Sequence, residues 1–67
     1  MISITINGKA LEVKAGQSLT KLLEEQGHKL DGTAIAINET IVPKQKWAET
    51  VVENDAHIDI FNVVAGG

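Results

Sequence analysis

The chain has 67 residues, a net charge of −3 and no cysteine, so it is a single domain with no disulfide, thiolate nucleophile, iron–sulfur ligands or thiolate zinc site. Its basic residues are six lysines; without arginine or a basic stripe, nucleic-acid binding is disfavoured. The apolar runs are too short to span a membrane. With no signal-peptide pattern at the N-terminus, we expect a cytoplasmic protein.

The first elements form a β-hairpin. Ile2, Ile4 and Ile6 alternate with polar residues, which is the period of a half-buried strand. Asn7-Gly8 then supplies the favoured pair for a type I′ turn. Leu11 and Val13 alternate in the same way and predict the second strand.

A helix follows the hairpin. Ser18 is a suitable N-cap, because its hydroxyl can accept from a free amide of the first turn. Leu19, Leu22 and Leu23 have the spacing of one apolar helical stripe. Gly27 is a natural residue for ending the helix, and Leu30 is expected to pack back over that end.

The second half contains short extended elements. We predict strands at Thr33 to Asn38, Ile41-Val42 and Ala56 to Val64, a helical turn from Pro43 to Trp47, an extended Thr50-Val51-Val52, and turns at Asn38-Glu39-Thr40 and Glu53-Asn54-Asp55. A hairpin, a crossing helix and a final strand parallel to the first make a two-layer α+β domain. This order is typical of a β-grasp fold with four to five strands, comprising residues 1–64, followed by a flexible tail, residues 65–67.

The tail Ala65-Gly66-Gly67 is the strongest functional candidate. Two glycines after the last strand have great backbone freedom and no Cβ. We expect the chain to end in a free carboxylate at Gly67, which adenylation by ATP would turn into an electrophile. A side chain on either glycine would widen the C-terminal tail, which has to enter a partner's active site.

Several blocks resemble the ThiS family of thiamine-biosynthesis sulfur carriers. They are Ala34-Ile35-Ala36-Ile37-Asn38, Ile41-Val42-Pro43, Trp47-Ala48, Ala15-Gly16-Gln17-Ser18-Leu19 and the terminal Ala65-Gly66-Gly67. Two positions depart from the family pattern: Lys44 stands where arginine is frequent, and Glu53-Asn54-Asp55 replaces an Asp-Gly-Asp. Both positions look like surface or turn sites.

The resemblance implies a ubiquitin-like β-grasp fold and a carrier that is a protein co-substrate rather than an enzyme. A ThiF-like adenylyltransferase would use ATP and magnesium to adenylate Gly67, so this chain itself would bind no cofactor. A cysteine desulfurase or another persulfide donor would supply sulfur for a thiocarboxylate. A ThiG-like thiazole synthase would then take that sulfur.

Three other functions are compatible with this sequence. The small subunit of molybdopterin synthase resembles this fold and ends in two glycines; the short length and the Ile41-to-Trp47 block favour the thiamine pathway. A ubiquitin-like modifier would join Gly67 to lysines. A plain binding module would not need the tail.

The remaining candidates are weaker. His28 and His57 are far apart in sequence and at expected surface positions, and His57 with Asp59 gives two ligands where a metal site usually needs three. Trp47 is expected to cap the core in preference to anchoring an interface. Phe61 and Val63 share the strand face away from the helix, and we predict that they form an apolar docking patch beside the tail, against the alternative of a covered sheet or a bulge.

Overall fold

The computed structural model describes residues 1–28 and 31–62. Within them the chain forms five strands, one α-helix and one 3₁₀ helix. The elements in chain order are β1 (Ile2–Ile6), β2 (Lys9–Val13), α1 (Leu19–Glu25), β3 (Thr33–Ile37), β4 (Thr40–Val42), the 3₁₀ helix Lys44–Glu49 and β5 (His57–Asn62).

The strands form one mixed sheet in the order β2-β1-β5-β3-β4. β1 and β5 are parallel, with Thr5 opposite His57 and Ile6 opposite Ile58, and the other neighbours are antiparallel. A crossing connection that contains α1 is needed to bring two parallel strands together in the centre. The predicted α+β β-grasp architecture is confirmed.

The predicted hairpin and helix signals are present. Asn7 and Gly8 both have positive φ, 51° and 85°, as a type I′ turn requires. The amide of Lys21 donates to Ser18 Oγ at 3.2 Å, so Ser18 caps α1. At the other end Gly27 has φ 80°, and the amide of His28 donates to the Leu23 carbonyl at 2.9 Å, which closes a Schellman motif.

The core lies between α1 and one face of the sheet. The helix contributes three fully buried leucines, Leu19, Leu22 and Leu23. They pack with inward residues of the central strands, including Ile4, Ile35 and Ile58. Fully burying a leucine contributes about 1.5–3 kcal/mol. The leucine stripe is therefore a large part of what holds so small a domain together.

Trp47 closes the core from the 3₁₀ helix. Its side chain is 2% exposed, and Nε1 donates to the Val42 carbonyl at 2.8 Å. A buried indole whose N–H is satisfied internally cannot anchor a partner, so the core-capping interpretation is confirmed. The 3₁₀ helix itself runs to Glu49, two residues beyond the predicted turn.

Some predicted bounds differ. β3 ends at Ile37, because Asn38 adopts φ 50° and begins the turn to β4. β5 begins at His57, after Asp55 with φ 66°, and is described to Asn62. The predicted extended segment Thr50-Val51-Val52 contains an isolated bridge between Val51 and Ser18. In the described parts of the chain, no helix combines the length and the apolar character that crossing a bilayer demands.

Candidate functional site

The site is built at the end of the sheet to which β5 delivers the chain. Because β5 runs parallel to β1, its last described residue, Asn62, lies toward the end where β1 turns at Asn7-Gly8. The C-terminal end of α1 is there too, since Asn7 and Lys9 share the lining of an open cavity of about 500 Å³ with Gln26 and His28. The tail therefore follows a strand that ends on the same side of the domain as the hairpin turn and the C-terminal end of α1.

Several predicted residues fall outside the described ranges. Val63, the tail itself (Ala65, Gly66 and Gly67), and Leu30 are among them. The predicted adenylation and thiocarboxylate site at Gly67 stays a prediction, and so does the docking role of Val63. Of the predicted site residues, Phe61 is the one that lies within the described ranges.

Phe61 belongs to an exposed apolar surface on the side of the sheet away from α1. Its side chain is 49% exposed and lies opposite Ala34 of β3. On β4, Ile41 is 61% exposed and lies opposite Ala36. Between these two side chains Ala34 is half-buried and Ala36 is buried, at 4% exposed. We call the surface of Ile41, Ala36, Ala34 and Phe61 the outer-face patch; its exposed area comes mainly from Ile41 and Phe61.

The outer-face patch bears on the covered-sheet and bulge alternatives, while docking itself stays a prediction. Its large side chains are exposed at both ends, whereas a covered sheet would have buried them, and the register is continuous from Thr33–Asn62 to Ile37–Ile58 without a bulge. Ile41 was missed, because a three-residue strand offers no alternation from which its face could be predicted.

Polar groups border the patch along β5. Asp59 lies on the central strand β5 opposite Ala36, which separates it from Ile41 on β4. His57 is exposed, and its Nδ1 is 2.9 Å from Thr5 Oγ1. In residues 1–28 and 31–62, no group of three or more His, Cys, Asp or Glu side chains could hold a metal ion.

Three asparagine side chains close the ends of the central strands. The Ser3 amide donates to Asn54 Oδ1 at 2.9 Å, the His57 amide to Asn38 Oδ1 at 3.0 Å, and the Ile60 amide to Asn7 Oδ1 at 2.8 Å. The sequence identified these asparagines only as turn formers. The additional role depends on which strand end each turn meets, and that is set by the sheet order.

One ion pair lies at the start of β3. Lys44 Nζ is 2.7 Å from Asp31 Oδ1, and this hydrogen-bonded ammonium holds the pKa of the fully exposed Asp31 carboxyl below its usual value of 3.8. The arrangement joins the 3₁₀ helix to the segment that enters β3. Lys44, one of the two departures from the family pattern, therefore has a structural contact.

Gln17, just before α1, carries a buried side-chain amide that contacts the last residue of the helix. Gln17 is 9% exposed; its Nε2 donates to Glu25 Oε1 at 2.6 Å, while its Oε1 has no hydrogen-bond partner. Lys21 stands one helical turn before Glu25, a spacing that favours an ion pair on the helix surface. In the structure the contact of Glu25 is to Gln17, which reaches it from before the helix.

The five-stranded mixed sheet with one helix across it defines a domain of the β-grasp class, and comparison with known proteins identifies its family. The ThiS family model matches residues 4–67. The sulfur carrier protein ThiS of Escherichia coli is 39% identical over 66 residues, which cover 98% of this chain and 100% of that protein. The chain belongs to the ThiS family.

Two further comparisons agree. The uncharacterized protein ycf40 of Porphyra purpurea is 32% identical over 98% of this chain and 93% of its own length. The crystal structure of a thiamine biosynthesis protein (ThiS) from Geobacter metallireducens superposes with a TM-score of 0.82 over 98% of this chain and 100% of that one. Its solution structure gives a TM-score of 0.72. At 19% identity, these two structures support the fold alone.

Proposed function

We propose that this chain is a sulfur carrier of thiamine biosynthesis and that the carboxylate of Gly67 carries the sulfur. The observation with the most weight is the full-length similarity to the Escherichia coli sulfur carrier, together with a family match that extends to Gly67. The chain acts as a co-substrate, so its chemistry takes place in the active sites of other proteins.

The first step activates the carboxylate. A Gly67 carboxylate oxygen attacks the α-phosphorus of ATP, pyrophosphate leaves, and an acyl adenylate forms in a ThiF-like adenylyltransferase. ATP and magnesium belong to that enzyme. Gly66 and Gly67 suit this step because, without a Cβ, the tail is narrow enough to reach the nucleotide through a narrow channel of the enzyme.

The second step introduces sulfur. A persulfide derived from cysteine by a desulfurase attacks the acyl carbon, AMP leaves, and an acyl disulfide forms. A thiol then attacks the distal sulfur, which releases the thiocarboxylate of Gly67 and a disulfide. A ThiG-like thiazole synthase accepts this sulfur.

The outer-face patch is the surface by which we expect the chain to dock on the adenylyltransferase. Phe61 and Ile41 expose apolar area on the same side of the sheet as Ala34 and Ala36. Phe61 is six residues before Gly67 in the sequence, so docking there would bring the tail near the enzyme's nucleotide site. The extended reach of six residues is about 20 Å.

Intact-mass measurement tests the chemistry. The purified chain is incubated with ATP, magnesium, a ThiF-like enzyme of the same organism and a persulfide source. We expect the mass gain of one oxygen-to-sulfur exchange, located at Gly67 by fragmentation. A variant that lacks Gly66 and Gly67 is the control and should gain nothing. If the full chain also gains nothing with its cognate enzyme, the proposal is wrong.

Genetic rescue tests the pathway. A strain without this gene should need thiazole or thiamine and should not need molybdopterin. Rescue by molybdopterin alone would assign the chain to the other sulfur-transfer pathway. Lysine conjugates that vanish when Gly67 is deleted would instead support a ubiquitin-like modifier.

A further inference from the structure

Among the described residues, Asn7, which directly follows β1, makes the last contact from the hairpin side with β5, the strand that leads to the tail. Its backbone amide donates to the Ile58 carbonyl at 2.8 Å, and its side-chain Oδ1 accepts from the Ile60 amide at 2.8 Å. In a continuing parallel ladder, the backbone carbonyl of Asn7 would accept the Ile60 amide. The side chain thus replaces a backbone acceptor at the residue where the chain turns away.

Beyond Ile60 the β1 side of β5 has no further strand partner among the described residues. The backbone groups of Ala56, Ile58 and Ile60 point toward β1, and by alternation those of Asn62 do so as well. The β1–β5 pairing contains only Thr5–His57 and Ile6–Ile58. Phe61 and Asn62, the last two described residues of β5, pair with β3 alone.

The residue at position 7 must satisfy two structural requirements. The turn needs φ of about 51° at Asn7, a conformation that glycine, asparagine and aspartate accept most readily. The Ile60 amide needs an acceptor at the end of a short side chain. Asparagine and aspartate satisfy both requirements, whereas glycine satisfies the first alone.

We propose that Asn7 is a positioning residue for the tail: its bond to the Ile60 amide is the last described anchor on the β1 side of β5, the strand that leads to Gly67, while Phe61 and Asn62 are held on the β3 side alone. This inference rests on the proposed function, because positioning matters only if Gly67 reacts. An anchor near a reactive end restricts the volume that the carboxylate searches, which raises the share of productive geometries in the enzyme.

The chain offers a closely matched control. Asn38 also begins a two-residue turn, also has positive φ (50°), and its Oδ1 also accepts an amide of β5, that of His57. It acts at the start of β5, whereas Asn7 acts near its end. Asn7→Gly and Asn38→Gly therefore remove the same kind of bond from opposite ends of the same strand.

The test measures adenylation by a ThiF-like enzyme over a range of carrier concentrations. We expect Asn7→Gly to lower kcat about three- to tenfold with KM within about twofold, since the docking surface is untouched. Asn38→Gly should leave kcat unchanged, and Asn7→Asp, which keeps an acceptor, should restore it. Because the chain is the substrate, a merely destabilised variant would reduce the folded concentration and raise the apparent KM at unchanged kcat.

Two results would overturn the inference. One is an unchanged kcat for Asn7→Gly with a raised KM, which indicates a structural role only. The other is an equal fall of kcat in Asn38→Gly, which indicates that any loosening of β5 has the same effect.

A measurement on the free chain separates this inference from the proposed function. By NMR relaxation, Asn7→Gly should lower the backbone order parameters of Phe61 and Asn62, and amide exchange at Ile60 should accelerate about tenfold, as expected for loss of one bond. Asn38→Gly should affect His57 instead. If wild-type chain is not adenylated at all, the proposed function fails; if Phe61 and Asn62 stay equally ordered in Asn7→Gly, the anchoring fails whatever the function.

Discussion

Replacing Phe61 with serine tests whether the outer-face patch docks on the adenylyltransferase. A phenylalanine buries about 150–250 Å² when it is fully covered, and Phe61 is 49% exposed. Docking could therefore cover about 100 Å² more of it, which at about 25 cal/mol per Å² sets a ceiling of about 2.5 kcal/mol. Ordering and imperfect desolvation reduce this, so we expect a loss of about 1–2 kcal/mol.

The assay is the KM of the chain as substrate in ATP–pyrophosphate exchange. A loss of 1–2 kcal/mol corresponds to a rise in KM of about five- to thirtyfold at 1.4 kcal/mol per factor of ten. Ile41→Ser, at the other end of the patch, should change KM in the same direction. Urea unfolding of each variant gives its folded fraction, so that a loss of stability is not counted as a loss of docking.

Val51→Ser is the matched control. Val51 is 55% exposed, comparable to Phe61, but it bridges to Ser18 at the start of α1, away from the strand exit. It should leave KM within about twofold, as expected of a surface change outside the interface. The docking argument is refuted if Phe61→Ser stays folded with an unchanged KM, or if Val51→Ser raises KM as much.

Three further outcomes test the structural reasoning. Trp47→Phe should lower the unfolding free energy in urea by about 1–3 kcal/mol, because it removes the indole bond to the Val42 carbonyl and leaves a void; a change below about 0.5 kcal/mol would contradict this. Gln17→Met should leave the unfolding free energy within about 1 kcal/mol or raise it. The variant loses the hydrogen bond to Glu25 but also removes a buried oxygen that has no partner. A larger loss of stability would mean that this oxygen is hydrogen-bonded in solution. Because the pKa of Asp31 is lowered, its pairing with Lys44 stabilises the fold at pH above the usual pKa of 3.8, and this stabilisation is lost as pH falls through the lowered pKa. In Lys44→Met, an NMR titration should find the pKa of Asp31 raised toward 3.8. An unchanged pKa would refute the pairing.

Most of the fold follows from local signals in the sequence. Asn7-Gly8 predicts its turn because few residue pairs accept two positive φ values, and Ser18 and Gly27 delimit α1 because each satisfies helix-end groups in its own neighbourhood. The leucine stripe of α1 is buried as its spacing predicts. Such signals act over a few residues and do not depend on the rest of the chain.

The candidate site is predictable only in part. The exposure of Phe61 follows from strand alternation, once the face of β5 is known. Ile41 does not, because it joins the patch through the pairing of β4 with β3, which is a contact between strands and not a local pattern. The same limit applies to Gln17, which contacts Glu25 in place of the helical neighbour that spacing favours.

By itself, the sequence determined the elements, the β-grasp order and the ThiS resemblance, since these depend on local conformational preference and on motif order. The tertiary structure decided what surrounds the strand that leads to Gly67. Asn7 holds the Ile60 amide across 53 positions of sequence, because the parallel pairing of β1 with β5 brings the hairpin turn to the strand exit. A long-range hydrogen bond of this kind has no signature in the sequence near either residue.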